Sequence, residues 1–585
     1  MRCASLFLVF VLAKLMMVWG HTAPVTGWSL AAYIWQDAVI ALAFGAFDIA
    51  MQRIGAPARI VWVVYWAVAI YAAINIPVGR VLSTPLTRPM LRAARGPLAD
   101  SMLIYLTASN ILSGASVLAA AAGLPWLMRS MPRQFARSVV VCAIALVLLG
   151  PTSSSRVDTR GMDRNVVTAL IDTGLPRVVA ANGATQWRES RFQADGTEDL
   201  SRFRGAAQGF NVVMVSLEST AAQYLSLYGA LYGGEYDAMP NLSALARSAV
   251  VFENAYAVYP ESIKGLYSVL CSTFPAFDSQ PEEYAKLGCS SVASILGDAG
   301  YRTAMFHSGR FGYLGMESII RHRGYQTLED AGDIAGNHNS SFGVDEPATV
   351  TRMLAWIDAL PRGQHFFLTY LPIAGHHPYA TPERGPFAGT DEIDQYRNAL
   401  HYGDASLGTL IQGLRARGLE QNTVWVIYGD HGEAFHQHEG NYGHTFFLYD
   451  ENIHVPFLIA APGLMRGEQR VHKVVSLVDT APTILDLMGI QPANNYQGHS
   501  MLDATPRMAL FFADYSLGLL GLRDGRWKFI YEIGSGRARL FDMEHDPREL
   551  SDLSGREAAR VSWYGQMVRG WCSAQKSYIA RSAIP

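Results

Sequence analysis

The sequence predicts an α/β enzyme domain carried behind an N-terminal bundle of about five transmembrane helices, with a small antiparallel subdomain at its C-terminal end. Three observations predict it. Half of the 585 residues are hydrophobic and only 17% are charged, below the roughly 25% of average soluble domains, and the excess lies in nearly unbroken apolar runs within the first 152 residues. From Phe210 onward, short β-branched runs alternate with segments of helical periodicity, the rhythm of a mainly parallel sheet covered by helices. The residues just after those runs are unusually polar, and open α/β sheets bind their ligands at the carboxyl ends of their strands.

Composition narrows the function. Basic residues number 47 against 50 acidic ones, a formal charge of −3, so no polybasic surface for nucleic acid is present. Five cysteines, with no C-x-x-C pair, exclude a zinc ribbon or a disulfide-scaffolded small domain.

The first region, 1–152, offers spans at about 4–20, 28–51, 60–79, 102–128 and 135–151, most near the roughly 20 residues a helix needs to cross a bilayer. Residues 4–20 follow Arg2 as a signal peptide would, but Lys14 interrupts the run and Val18-Trp19-Gly20 is no A-x-A cleavage site. With the N-terminus inside, Arg2, Arg53, Arg59, Arg129, Arg133 and Arg137 face Arg80, Arg88, Arg92, Arg95, Arg156, Arg160 and Arg164 outside, so charge bias does not set the topology. Residues 80–97 read either as an interfacial amphipathic segment or as a connecting loop. Asp37 and Asp48, inside the second span, either serve function or pair with loop arginines. Residues 153–207 form a connector with a short amphipathic helix at Val166, Val167, Leu170 and Ile171. A catalytic domain follows over 208–500, and its C-terminal subdomain over 501–585.

Within that domain the expected strands are Asn211–Ser216, Thr303–Phe306, His365–Tyr370, Thr423–Tyr428 and Val455–Ala460, with helices at 239–249, 290–300, 348–360, 392–417 and 479–488. After Gly498 the short runs Trp527–Tyr531 and Arg539–Phe541 mark an antiparallel appendage. Glu218 follows the first strand and Asp430-His431 the fourth, while His307 and His376-His377 follow others. Carboxylates and an imidazole arriving from different strands can converge on one divalent cation. Alone, Glu218 reads as a helix N-terminal acid and Asp430-His431 as a turn between Gly429 and Gly432. Their joint appearance, with His431, His436, His438 and His444 crowded into fourteen residues, favours a site. Ser262 opens a helix that buries Ile263, Leu266, Tyr267 and Leu270; it stands either where a helix N-terminus favours phosphate or as a plain N-cap.

Together these residues resemble the sulfatase branch of the alkaline phosphatase superfamily, and in particular membrane-anchored members such as lipoteichoic acid synthases and phosphoethanolamine transferases. The resemblance covers roughly 209–550. It rests on NVVMVSLEST, the Ser262 segment YPESIKGLYSVLCSTFP, HHPY at 376–379, YGDHGEAFHQHEGNYGHT at 428–445, VPFLI at 455–459, SLVDTAPTILDLMGI at 476–490, GHSML at 498–502, and LRDGRWKFI followed by LFDMEHDPREL. It implies an alkaline-phosphatase-like α/β/α fold in which Glu218, Asp430 and His431 bind one divalent ion, manganese, zinc, magnesium or calcium, with Ser262 as fourth ligand and nucleophile. By the same resemblance His376 contacts the ester or leaving group, and Lys264, His307 and Arg310 cradle the anion. His438 and His444 join that anion pocket or complete a second metal site. Cys271 and Cys289 flank the nucleophile segment, as a disulfide if this half is extracytoplasmic or as two buried thiols.

One departure decides between branches. Sulfatases proper carry Cys or Ser followed by x-Pro-Ser-Arg, the signal for conversion to formylglycine, whereas Ser262 is followed by Ile-Lys-Gly-Leu. The membrane-anchored relatives use threonine at this place, so serine is a milder departure, and Glu261, Ser268 and Ser272 are the alternatives in register. The expectation is a multi-pass protein of the cytoplasmic membrane, its catalytic domain extracytoplasmic, that cleaves or transfers a phosphoglycerol or phosphoethanolamine phosphoester from a membrane phospholipid to a glycan or lipid acceptor. The alternatives are a sulfuric ester hydrolase and a lipid-sensing pseudoenzyme.

Overall fold

The apolar runs of the N-terminal region form five long helices in the computed structural model: Arg2–Val18, Ser29–Arg53, Ala58–Leu82, Ala108–Ser130 and Arg133–Arg156. The structure describes all residues except 23, 97–98, 184–186, 193–197, 339–341 and 583–585, so the last residue of the 80–97 segment and parts of the 153–207 connector lie outside the described residues. Among the described residues, four of these helices are long and apolar enough to cross a membrane. The first has only 17 residues and falls short of that length. The expected span at 102–128 is corrected to Ala108–Ser130, because Ala99–Leu103 forms a separate short helix and Thr107 caps the long one through the Asn110 amide at 3.3 Å. Lys14 is buried within the bundle: its ammonium donates to the Met162 and Arg164 carbonyls at 2.9 and 2.7 Å. Asp48 pairs with Arg2 of the first helix at 2.7 Å, and Asp37 accepts from Asn165 at 2.6 Å, so the polar groups of the bundle tie its helices to one another and to the connector.

The catalytic region is built on one mixed sheet. Its strands are β1 (Asn211–Leu217), β2 (Ala249–Tyr256), β3 (Arg302–His307), β4 (Thr327–Glu329), β5 (Phe366–Leu371), β6 (Thr423–Gly429), β9 (His454–Val455), β10 (Phe457–Ala460) and β11 (Gln469–Ser476), while β7 (Ala434–Phe435) and β8 (Tyr442–Gly443) form a separate hairpin. The order across the sheet is β11-β2-β10-β6-β1-β5-β3-β4, with β9 alongside β2. All of β1 is buried; Val213, Val215 and Leu217 pack into one helical layer and Val212 and Met214 into the other. Burial on both faces is why these runs are continuously apolar.

Two expectations change. The helix expected at 239–249 is shorter, Pro240–Ala246, and Ala249–Tyr256, for which no strand is expected, is a strand. The single strand expected at Val455–Ala460 is divided at Pro456 and runs antiparallel to both β6 and β2. Two antiparallel steps restore the direction, so β1, β2, β3, β5 and β6 all end on the same edge. At the C-terminal end, β12 (Ala509–Ala513), β13 (Leu519–Asp524), β14 (Trp527–Glu532) and β15 (Ala538–Asp542) form an antiparallel sheet. The helix Ala558–Ser582 packs Tyr564, Val568 and Trp571 against its Phe512, Leu522 and Phe529.

Candidate active site

Ser262 arrives at the carboxyl edge because β2 ends at Tyr256 and a short turn leads into helix Ser262–Cys271. Glu261, not Ser262, is the N-cap: its carboxylate accepts the Lys264 amide at 3.3 Å. Ser262 therefore holds the first helical position, its hydroxyl 3.0 Å from Glu218 Oε2 and 3.2 Å from His431 Nε2. Cys271 at the far end of the helix is disulfide-bonded to Cys289, Cα atoms 5.8 Å apart.

Glu218, Asp430 and His431 each place a ligand atom within 4.8 Å of the others, with His431 Nε2 3.5 Å from Glu218 Oε1 and 3.6 Å from Asp430 Oδ2. Such convergence needs close backbone approach where β1 and β6 end. A Cβ on Gly429 would lie 2.2 Å from the Thr220 carbonyl, and one on Gly375 2.2 Å from that of Glu218, so no other residue fits without a shift. Asp430 Oδ1 accepts the amides of Ser219 and His431 at 2.9 and 2.8 Å, which orients the carboxylate and leaves Oδ2 toward His431. His431 Nδ1 donates to the Gly432 carbonyl at 2.9 Å, so Nε2 is the nitrogen that takes up a proton or a cation.

The electrostatics show what the cluster lacks. Burial and the charge of Glu218 push Asp430 up to about 7. Burial works against ionised Glu218 as well, yet its hydrogen bond to His431 and that ring's charge hold it well below the carboxylate range. Burial alone would lower His431, but Asp430 and Glu218 lift it to about 10. With Glu218 ionised, the protons held on Asp430 and on His431 offset the buried negative charge, and a divalent cation would meet the same demand. Two carboxylates, an imidazole Nε2 and a hydroxyl form a donor set that fits such an ion.

Around the cluster the expected residues divide. His444 stacks on His431 with ring centroids 4.1 Å apart, and its Nδ1 bonds Glu433 Oε2 at 2.8 Å. Glu433 is buried, accepts the Tyr379 hydroxyl at 2.9 Å on its other oxygen, and despite burial is held low by His444. An ionised partner requires Nδ1 to donate, which leaves His444 Nε2 as its free nitrogen. His431, Glu433 and His444 also form a second group with metal-ligand geometry, though His431 Nε2 is already directed at Glu218 and Asp430. His376 bonds the His377 carbonyl through Nδ1 at 2.7 Å, packs on Phe342, and lies near enough for its charge to act on Glu218. His307 is buried at the end of β3, bonded to the Leu371 carbonyl at 3.0 Å, and burial lowers its pKa.

Lys264, His438 and Arg310 are committed elsewhere. Lys264 turns from the cluster to pair with buried Asp514 at 2.8 Å and lies over the Tyr259 ring. His438 bonds Glu451 at 2.5 Å and stacks on Tyr449, bracing the loop after β6. Arg310 is half exposed and sits 3.5 Å from Asp330. Glu433 and Tyr379 were not singled out from the sequence; the signal was present in GDHGE and HHPY, but their roles depend on His444.

Residues 210–490 match the family model described as Sulfatase, and residues 439–562 the model described as N-sulphoglucosamine sulphohydrolase, C-terminal. Over 185 residues the chain is 33% identical to Arylsulfatase K of Bos taurus, covering 28% of this chain and 34% of that one. Over 388 residues it is 24% identical to Lipoteichoic acid synthase 2 of Bacillus subtilis (strain 168), covering 61% and 59%. The chain thus spans less than two thirds of the length of either relative. Among solved structures, a protein in the alkaline phosphatase superfamily from Vibrio parahaemolyticus aligns with TM-score 0.55 at 18% identity, over 66% of this chain and 91% of that one. The lipoteichoic acid synthase LtaP from Listeria monocytogenes aligns with TM-score 0.51 at 19% identity, over 66% and 96%. Likeness at these identities is a likeness of fold.

Proposed function

Because residues 210–490 form a sulfatase-family domain with an alkaline-phosphatase-superfamily fold, we propose that the protein is a membrane-anchored, metal-dependent enzyme that cleaves or transfers a phosphoester through Ser262. The observation that carries this is Ser262 itself. It is followed by Ile263-Lys264-Gly265 rather than by a maturation signal, and its hydroxyl, as the gene encodes it, already meets Glu218 and His431.

An ion held by Glu218, Asp430, His431 and the Ser262 hydroxyl would lower that hydroxyl's pKa and polarise the ester. Ser262 Oγ, held by Glu218, forms a bond to phosphorus as the bond to the leaving alcohol breaks. The helix N-terminus at Ser262 favours the phosphoryl oxygens. The proton that Ser262 gives up leaves on the alcohol: His444, oriented by Glu433, carries it through Nε2 to the leaving oxygen, and in the second half it takes one from the water or acceptor alcohol that releases the phosphoseryl group, returning it to Ser262 Oγ. The four membrane-capable helices and the similarity to Lipoteichoic acid synthase 2 support a multi-pass anchor in the cytoplasmic membrane with the catalytic domain outside, and the Cys271–Cys289 disulfide fits an oxidising compartment. The donor is then a membrane phospholipid with a phosphoglycerol or phosphoethanolamine head group, and the acceptor a glycan or lipid.

A second reading, sulfuric ester hydrolysis, is favoured by the 33% identity to Arylsulfatase K. Rates on p-nitrophenyl phosphodiester and p-nitrophenyl sulfate, with each divalent ion supplied in turn, separate the two. The proposal expects phosphoester turnover that disappears in Ser262→Ala; sulfate turnover with an aldehyde at Ser262 would replace it.

A further inference from the structure

Between the membrane-capable helices Ala58–Leu82 and Ala108–Ser130 the chain leaves the bundle and crosses the catalytic domain. Two of its contacts fall on the loops that carry the site histidines. Ser101 Oγ lies 2.8 Å from His377 Nδ1, next to His376 and two residues before Tyr379. The Tyr105 hydroxyl is 2.9 Å from that of Tyr442, which donates to Glu392 at 3.0 Å. Tyr442 pairs with Phe435 in the β7–β8 hairpin, between His431 and His444. Upstream, Gly96 packs so closely on Tyr313 that a Cβ would lie 2.2 Å from its ring, and Arg92 pairs with Glu282.

The same stretch is apolar where it is free. Met102, Leu103, Ile104 and Leu106 are 49%, 62%, 51% and 66% exposed. Leu106 stands two residues before Ala108–Ser130, so chain continuity places these side chains at the bilayer surface. Such a segment lies in the interface with its apolar side toward acyl chains.

We infer that residues 101–106 form the membrane-facing wall of the active site, with Ser101 and Tyr105 gripping the His377 and Tyr442 loops while Met102, Ile104 and Leu106 meet the acyl chains of a phospholipid whose phosphoester enters from the bilayer side. This rests on the phosphoester chemistry proposed above and adds that the substrate stays in the membrane while it reacts. A soluble ester needs no such wall, so the two substrate forms separate the wall from the chemistry.

Full-length protein is reconstituted in vesicles of phosphatidylglycerol and phosphatidylethanolamine, and head-group release is compared with hydrolysis of soluble bis(p-nitrophenyl) phosphate. In Met102→Glu/Ile104→Glu the ratio of lipid to soluble rate falls about tenfold or more, since charge replaces apolar contact with acyl chains; in Tyr105→Phe it falls by a smaller factor. Because a misfolded variant loses both rates, the ratio isolates the wall, and a phospholipid with an acyl-chain diazirine labels residues 102–106 of the unmutated protein. An unchanged ratio, or labelling confined to the long helices, overturns the inference while leaving the phosphoester chemistry standing. Hydrolysis of the soluble ester with no lipid turnover overturns it in the same way, and failure on both phosphoesters removes the proposed function and this inference together.

Discussion

Replacing Lys264 by methionine tests whether this residue binds substrate or holds the nucleophile helix. Its ammonium and the Asp514 carboxylate are 2.8 Å apart with only 6% and 5% of their side chains exposed. Methionine keeps the packing over Tyr259 but leaves Asp514 charged, with the Tyr259 hydroxyl at 2.5 Å and the Asp278 amide at 2.8 Å as its remaining hydrogen-bond donors and the Arg177 charge still acting on it. Orphaning a buried charge costs about 3–5 kcal/mol, and those two hydrogen bonds place Lys264→Met toward the lower end. In Lys264→Met/Asp514→Asn the charge is gone and the single amide oxygen serves one of the two donors, so about 1–3 kcal/mol remains for the unsatisfied one. The double variant should therefore be at least about 2 kcal/mol more stable than the sum of the singles implies. Denaturant unfolding of the detergent-solubilised full-length protein, followed by tryptophan fluorescence, reads the cycle. If Lys264 instead cradled the anion, Lys264→Met would raise KM with little loss of stability, and that result would refute the structural assignment.

Glu218→Gln or Asp430→Asn should abolish stoichiometric metal in the purified protein, read by elemental analysis, and lower turnover by more than the roughly 100-fold that outer ligands typically cost. Since the ion-free cluster holds protons on Asp430 and His431, both raised from their ordinary values, metal affinity should rise with pH and binding should release protons; titration calorimetry in two buffers that shows no proton release would contradict this. Glu433→Gln offers His444 a donor where it had an acceptor, so turnover should fall about 10- to 100-fold with metal content unchanged; an unaltered rate would remove His444 from proton transfer. Asp479 and Asp514 are opposed by burial but held below the carboxylate range by Arg188 and Lys264. Their depressed folded values mean that the stability they contribute is complete above the unfolded value near 3.9 and is lost as pH falls further. The acid limb of an unfolding profile should be shallower in Asp514→Asn.

What the sequence revealed follows the range of the interactions concerned. Glu218, Asp430 and His431 could be read because each directly follows a doubly buried strand, β1 or β6, whose unbroken apolar run announces itself. Strand β2, which delivers Ser262, was hidden because its run follows helix Pro240–Ala246 so closely that one periodicity blurs into the other. The family resemblance made Lys264 an anion ligand, while Asp514, the partner that claims it, is 250 residues away. His438 and His444 were indistinguishable by composition; only the fold aims one at Glu451 and the other at Glu433 beside His431. The helix Ala558–Ser582 carries too many polar residues to stand out and is defined by the C-terminal sheet it covers.

In the proposed reaction the encoded Ser262 becomes covalently linked to the phosphate of a lipid head group. The direct measurement is peptide mass spectrometry of full-length protein purified with its metal, incubated with phosphatidylglycerol or phosphatidylethanolamine vesicles and quenched in acid. A phosphoglycerol or phosphoethanolamine adduct on Ser262, within the peptide spanning 259–275 and absent from Ser262→Ala, is the predicted result. Unmodified Ser262 in protein that is turning over substrate, or an aldehyde at that position, would contradict it.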